Sequence, residues 1–378
     1  MRELAFTNAR IILADEVIHG SLAVKGETID SVDDGDVRHG EDLEGDYLLP
    51  GLVELHTDHF ENHYRPRQGV TWNALAALQA HDAQVAGAGI TTVFDAIRIG
   101  SDPEIGDITA DVAAQVGAIE QADGADLLRA EHLVHLRCEL PSHDCYEHFD
   151  AHCDKPVVKL ASVMDHTPGA RQYTTLEHYV AYYQKKMRLS DDEMAQYIRD
   201  RQAEHDRYAD SNRARILARG KAIGLAFASH DDATPAHVEE ALREGVSIAE
   251  FPTTMAAARA AHEGGLAVLM GAPNLVRGRS HNGNVAATDL AREGVLDVLS
   301  SDYVPFALML AGFLLPEKVA GITLPGAIAT ITRNPARAAH LDDRGEIAPG
   351  KRADLLRVRV QNGMPVVRAV YRQGRRVS

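Results

Sequence analysis

Eight short, near-continuous apolar runs, separated by amphipathic stretches, occupy the middle of the chain and leave few architectures open. They are Tyr47–Leu55, Thr91–Ala96, Leu133–Glu139, Val157–Met164, Ile223–Ser229, Ser247–Phe251, Ala267–Gly271 and Val295–Ser300. Runs that are apolar at successive positions suit strands buried on both faces of a parallel sheet. Helical stretches intervene, including Asn73–Ala88, Asp107–Ala122, Thr234–Glu244, Thr253–Glu263 and Val285–Glu293. Strand then helix, eight times, predicts an α/β fold of the (β/α)8, TIM-like barrel type.

The ends read differently. Ala9–Leu13, Ser21–Val24 and Thr28–Val32 are short strand-like runs broken by Gly20 and Gly26. Near the other end, Asp354–Val360 and Val366–Arg372 flank Asn362-Gly363, a strong hairpin signal. The pattern predicts that residues 1–50 and 345–378 pair into a small β-sandwich domain, leaving 51–344 for the barrel. The longest insertion, 174–220, carries two charged amphipathic helices, Leu176–Met187 and Ser190–Arg207, the second opened by a Ser190/Glu193 capping box. Two readings of it stand: a lid or specificity element, or a solvated helical excursion packed down by tyrosines.

The composition, 45% hydrophobic and 25% charged, is that of a soluble globular chain. There is no apolar stretch of about 20 residues and no signal-peptide core, so a cytoplasmic protein is expected. Three cysteines, Cys138, Cys145 and Cys153, argue for a reducing compartment rather than a disulfide framework. Their spacing with His143, His148 and His152 lacks the paired pattern of a structural zinc, and His148 and His152 read as a surface-helix pair. A net charge of −16 disfavours nucleic acid and anionic membrane as partners. It does not disfavour an anionic small molecule, because local arginines decide that. A homodimer is expected.

Active sites of such barrels lie at the C-terminal ends of the strands. Those ends carry His56 and Asp58, Glu139, Asp165-His166, His230-Asp231-Asp232, and Asp302. On a strand, His56 and Asp58 point to one face and can meet one divalent cation; the plainer reading has His56 bonded to a backbone carbonyl. Glu139 fits a position bridging two cations, with helix entry beside Pro141 as the alternative. Lys159, its rival, lies far down its strand at an odd offset. Asp302 is placed to accept a proton from an activated water, against ordinary N-capping. Arginines and glycines gather on the same face: Arg65 and Arg67, Arg171 after Gly169, and Arg277-Gly278-Arg279-Ser280-His281-Asn282-Gly283-Asn284. Such loops suit phosphate, solvated loops being the other reading.

Leu49-Pro50-Gly51-Leu52-Val53-Glu54-Leu55-His56-Thr57-Asp58 resembles the strand-one signature of the amidohydrolase superfamily in its HxD form, and Gly345–Leu355 resembles that superfamily's return to the small β domain. Arg137–Pro141, Met164–Gln172, Ala228–Thr234 and Met270–Gly278 resemble one branch, the diphosphatases of bacterial phosphonate use. The resemblance implies cleavage of a ribose 5-triphosphate to the 5-phosphate plus diphosphate. It further implies one or two divalent ions (zinc, manganese or iron) held by His56, Asp58, Glu139, His166, His230 and Asp302. The substrate would meet Arg171, Arg277, Arg279 and Asp232. Asp58 where the superfamily has histidine makes the site richer in oxygen, which favours manganese or iron. The alternative reading is a hydrolase of a C–N bond in a cyclic amide or aminated base; a metal-free scaffold is a third.

Overall fold

The computed structural model describes residues 3–35, 39–103, 106–172, 176–280 and 283–378. Eight parallel strands follow one another in sequence order around one sheet. They are β1 (Leu52–Thr57), β2 (Ile90–Ile99), β3 (Glu131–Glu139), β4 (Val158–Met164), β5 (Ala226–His230), β6 (Ile248–Glu250), β7 (Ala267–Gly271) and β8 (Val298–Ser300). Each of the eight expected runs overlaps one of them. Val53, Leu55, Phe94, Leu133, Leu160, Ile248, Leu269 and Val298 pack together as a core distinct from the layer between strands and helices. Each such residue contributes roughly 1.5–3 kcal/mol by leaving water.

The barrel closes without a regular β1–β8 ladder. Low in the seam, the backbone of the segment after residue 329 fills the gap: Val53 N–H donates to Ile331 O and Leu299 N–H to Thr330 O. At the top, Thr57 and Asp302 form a parallel bridge, and Thr57 Oγ1 donates to Asp302 O at 2.8 Å. Buried Glu54 stitches the middle, accepting from Ser300 Oγ at 2.6 Å, Ser301 N at 2.5 Å and His56 N at 2.6 Å.

Two expected boundaries are corrected. Tyr47–Leu55 is two strands: Tyr47–Pro50 pairs antiparallel with Leu355–Val358 in a second sheet, and the chain enters the barrel after Gly51. A Cβ at Gly51 would lie 2.1 Å from Thr91 Oγ1, so only glycine passes there. The helix expected to end at Arg207 runs Asp191–Ala222, so Ile223 caps it rather than starting β5. The Ser190/Glu193 capping box is present. Its second half is buried through Asn212, Ile216, Leu217 and Gly220 and supplies the barrel's helix between β4 and β5. The beginning of the expected insertion, 174–175, lies outside the described residues, as do His281 and Asn282 of the arginine loop.

The second sheet is built from both ends of the chain and encloses its own core of Phe6, Ile11, Leu22, Leu48, Leu355 and Tyr371. Its hairpin turns at Asn362 and Gly363, both at positive φ (53° and 77°), as a type I′ turn requires. No described helix is long and apolar enough to cross a membrane.

Candidate active site

His56 sits near the end of β1, His230 ends β5 and Glu250 ends β6; all three are buried. His56 Nδ1 donates to Glu250 Oε1 at 3.1 Å and His230 Nδ1 to Oε2 at 3.2 Å. A carboxylate only accepts, so both Nδ1 atoms carry the proton and both Nε2 atoms keep their lone pairs for another ligand. The rings stack at 5.6 Å and 22°. Burial above all keeps both neutral: His230 is depressed to about 3, and His56 falls well below its ordinary value, with the Arg137 charge adding to the effect. His135 stands edge-on to His56 at 5.1 Å and donates Nδ1–H to Leu55 O at 3.0 Å.

Carboxylates gather opposite. Burial and then the neighbouring Asp58 raise Asp302 to about 7, with Glu54 and Asp231 adding to this and Arg137 opposing it. Burial raises Asp231 to about 6. Asp231 Oδ2 lies 3.6 Å from His230 Nε2 and 3.8 Å from His166 Nε2. Asp231 and Asp302 hold positive φ (57° and 55°), a strained backbone that turns each away from its strand direction. Neutral imidazoles beside carboxyls that resist ionisation fit a divalent cation, which would relieve the crowding of negative charge. His56/His230/Glu250 and His166/His230/Asp231 each bring ligand atoms within 4.8 Å of one another.

The other expected ligands are placed less simply. Asp58 is not on β1; it is the N-cap position of the short helix His59–Tyr64, without a capping bond, and its carboxylate is 4.0 Å from Arg137 Nη1. Glu139 ends β3 as expected, but both its oxygens engage His166, at 2.5 Å from Nδ1 and 3.1 Å from the backbone N. Arg98 at 3.5 Å and Arg201 at 3.8 Å complete its surroundings. Burial alone would raise Glu139; the charges of His166, Arg98 and Arg201 outweigh it and hold the carboxyl well below its usual range. Glu139 thus orients His166 here rather than facing His56. Lys159 is exposed and low on β4, away from the site.

A cavity of about 240 Å³ opens above these groups, lined by His56, His230, Asp231, Asp302 and Arg137 at its base and by Gln172, Arg277 and Arg279 nearer its mouth. Arg171 and Asp232 are not among its lining residues. Both are buried and pair with each other, Arg171 also reaching Glu240 at 2.5 Å and Asp232 taking Ser229 Oγ at 2.5 Å. Arg65 pairs with Asp111, and Arg67 is exposed outside the cavity. All three cysteines are free and buried; His148, expected on a surface, is buried against Thr109.

Four residues escaped the reading of strand ends. Glu250 ends its strand inside the sixth apolar run, one residue before Phe251, so no polar break in the sequence marks it. Arg137 and His135 lie two and four positions before Glu139, so strand alternation puts them on its face. Glu54 bears the same i, i+2 relation to His56. A further buried group, His81, Asp95 and His132, lies between the helix Ala74–Gly87 and the outer side of β2 and β3, with 2.7 Å contacts on either side of Asp95.

Residues 47–377 match the amidohydrolase family. The chain is 45% identical over 377 residues, 99% of its length and 100% of the relative's, to the alpha-D-ribose 1-methylphosphonate 5-triphosphate diphosphatase of Escherichia coli K12. Among solved structures, N-acetyl-D-glucosamine-6-phosphate deacetylase from Mycobacterium smegmatis aligns at a TM-score of 0.65 and 16% identity, covering 100% of both chains. The 5-methylcytosine deaminase of Klebsiella pneumoniae aligns at 0.65 and 15%, covering 99% of this chain and 98% of its own. At these identities the two structures speak for the fold alone.

Proposed function

The chain belongs to the amidohydrolase family, and on that premise we propose that it hydrolyses α-D-ribose 1-methylphosphonate 5-triphosphate to the 5-phosphate and diphosphate. The observation that carries the reading is one cavity that joins a neutral histidine pair and the Asp302 carboxyl to three guanidinium groups, Arg137, Arg277 and Arg279. A C–N hydrolase acting on an uncharged ring has no use for that many guanidinium forks.

His56, Asp58, His166, His230, Asp231 and Asp302 would hold one or two divalent ions, with Glu250 and Glu139 fixing the histidines. The oxygen-rich donor set suits manganese or iron as well as zinc. A divalent ion at this site supplies Lewis acidity to a phosphoryl oxygen and makes nearby water more acidic. The chain's own groups do the rest. Arg277 and Arg279 bind the anionic tail at the mouth. An Asp302 carboxylate oxygen accepts a proton from the attacking water, whose oxygen bonds to phosphorus. The bridging P–O bond breaks, and its electron pair leaves on diphosphate. Incubation with the ribosyl triphosphate tests this: diphosphate in equal amount to 5-phosphate is expected, and inorganic phosphate alone overturns it.

A further inference from the structure

One guanidinium in the cavity is held differently from the rest. Arg137 lies on β3, on the face shared with Leu133, His135 and Glu139, so it rises from the barrel wall rather than from a loop. Its side chain is 18% exposed, and its Nε is buried with no hydrogen-bond partner. Among the described residues the only carboxylate within ion-pair reach is Asp58, at 4.0 Å and beyond hydrogen-bond range.

The buried arginines Arg171, Arg213 and Arg344 each sit against carboxylates. Arg213 forks onto both oxygens of Glu244 at 2.8 and 2.6 Å, Arg344 bonds Thr92 and Glu131, and Arg171 bonds Asp232 and Glu240. A guanidinium retained for packing follows that pattern, because buried donors left unmatched are costly. Arg137 instead lines a cavity whose walls also include His56, His230 and Asp302, with no described carboxylate in hydrogen-bond range. Its charge is felt by each of these and by Asp231.

We propose that Arg137 is a catalytic residue, the guanidinium that grips the non-bridging oxygens of the phosphoryl group under attack. This rests on the diphosphatase reading above. Arg277 and Arg279, exposed at the mouth, take the distal phosphates, whereas Arg137 sits level with the histidine pair and Asp302. A planar fork matches two phosphoryl oxygens at once, and a strand holds it in place before substrate arrives. Water adds at phosphorus, the bridging oxygen departs with its electron pair on diphosphate, and Arg137 remains protonated throughout, giving up no proton. The same fork explains selectivity: a neutral amide carbonyl would leave a buried cation without its anion.

The test uses metal-loaded full-length protein carrying Arg137→Ala or Arg137→Lys. Diphosphate release, metal content and affinity for inorganic pyrophosphate are measured in each. Arg137→Ala is expected to lower kcat by about 10²–10³-fold with metal content unchanged. Pyrophosphate affinity should stay within about threefold of wild type, because Arg277 and Arg279 hold the distal phosphates; free guanidinium ion should restore part of the lost rate, and Arg137→Lys should recover only a fraction. The proposal is overturned if Arg137→Ala stays within about threefold of wild type in kcat/KM. It is equally overturned if activity and metal are lost together, or if lysine restores full rate. Failure of the underlying reading looks different: wild type itself then releases no diphosphate, whatever happens at residue 137.

Discussion

The imidazoles of His56 and His230 lie 5.6 Å apart and nearly parallel because one carboxylate, Glu250, takes the Nδ1 proton of each. Two strands, β1 and β5, thereby present their histidines in one tautomer and one direction. In Glu250→Gln the amide offers an acceptor to one ring and a donor to the other, so one histidine must change tautomer. Divalent-ion affinity, read by competition with a chelator, is expected to fall about 10–100-fold. Unchanged affinity would mean the histidines are oriented by something else.

Asp302 is raised to about 7 by burial and then by Asp58, and it is positioned at the seam by Thr57. Asp302→Asn keeps the shape and removes the proton acceptor. Saturated diphosphate release should drop about 10²–10⁴-fold. A rate close to wild type would assign the base elsewhere.

Arg277, which ends the short helix Ala272–Arg277 after β7, and Arg279 just beyond it are exposed and line the cavity. Their replacement by alanine, singly, is expected to raise KM about tenfold while kcat changes little, the signature of lost binding rather than lost chemistry. Added salt should narrow the gap between variant and wild type, since exposed charges are screened. A kcat loss at constant KM contradicts this placement.

His132 makes stability depend on pH. Burial alone would depress it, but Asp95 and Asp82 more than compensate and raise it to about 9 from 6.5. A raised pKa stabilises fully below the unfolded value and is lost as pH climbs through the folded one. The thermal midpoint should therefore fall between about pH 6.5 and 9. His132→Asn should flatten that fall; an identical slope in the variant refutes the attribution.

The helix Asp191–Ala222 is fastened at several points to segments that follow β3 and β4 and to the end of the helix Pro235–Arg243. His205 reaches Asp165 at 2.8 Å, Asn212 donates to Leu140 O and Ser142 O, and Arg213 pairs with Glu244. A wall, not a swinging lid, is expected: backbone amides from residue 205 onward should exchange slowly, and equally so with or without pyrophosphate. Faster exchange without pyrophosphate would restore the lid.

Much was legible in the sequence because it was local. Buried parallel strands must be apolar throughout, so eight runs announced eight strands, and the polar residues that break them marked the catalytic face. Asn362-Gly363 and Ser190/Glu193 declared a turn and a cap through backbone chemistry that neighbouring residues satisfy alone. Other features left no local trace. Tyr47–Pro50 and Leu52–Thr57 are equally apolar, and they part at Gly51 only because they pair with different strands, Leu355–Val358 and Ile90–Ile99.

The sequence by itself determined the barrel, the small sheet and the strand ends where chemistry gathers, since periodicity and residue type suffice for these. Which charged groups face each other was decided by tertiary structure. Arg171 and Asp232 found one another across 61 positions, Glu139 turned onto His166, and Glu250 joined His56 across 194. A buried charge must pair with whatever the fold brings within a few ångströms, and that distance is set by packing, not by order along the chain.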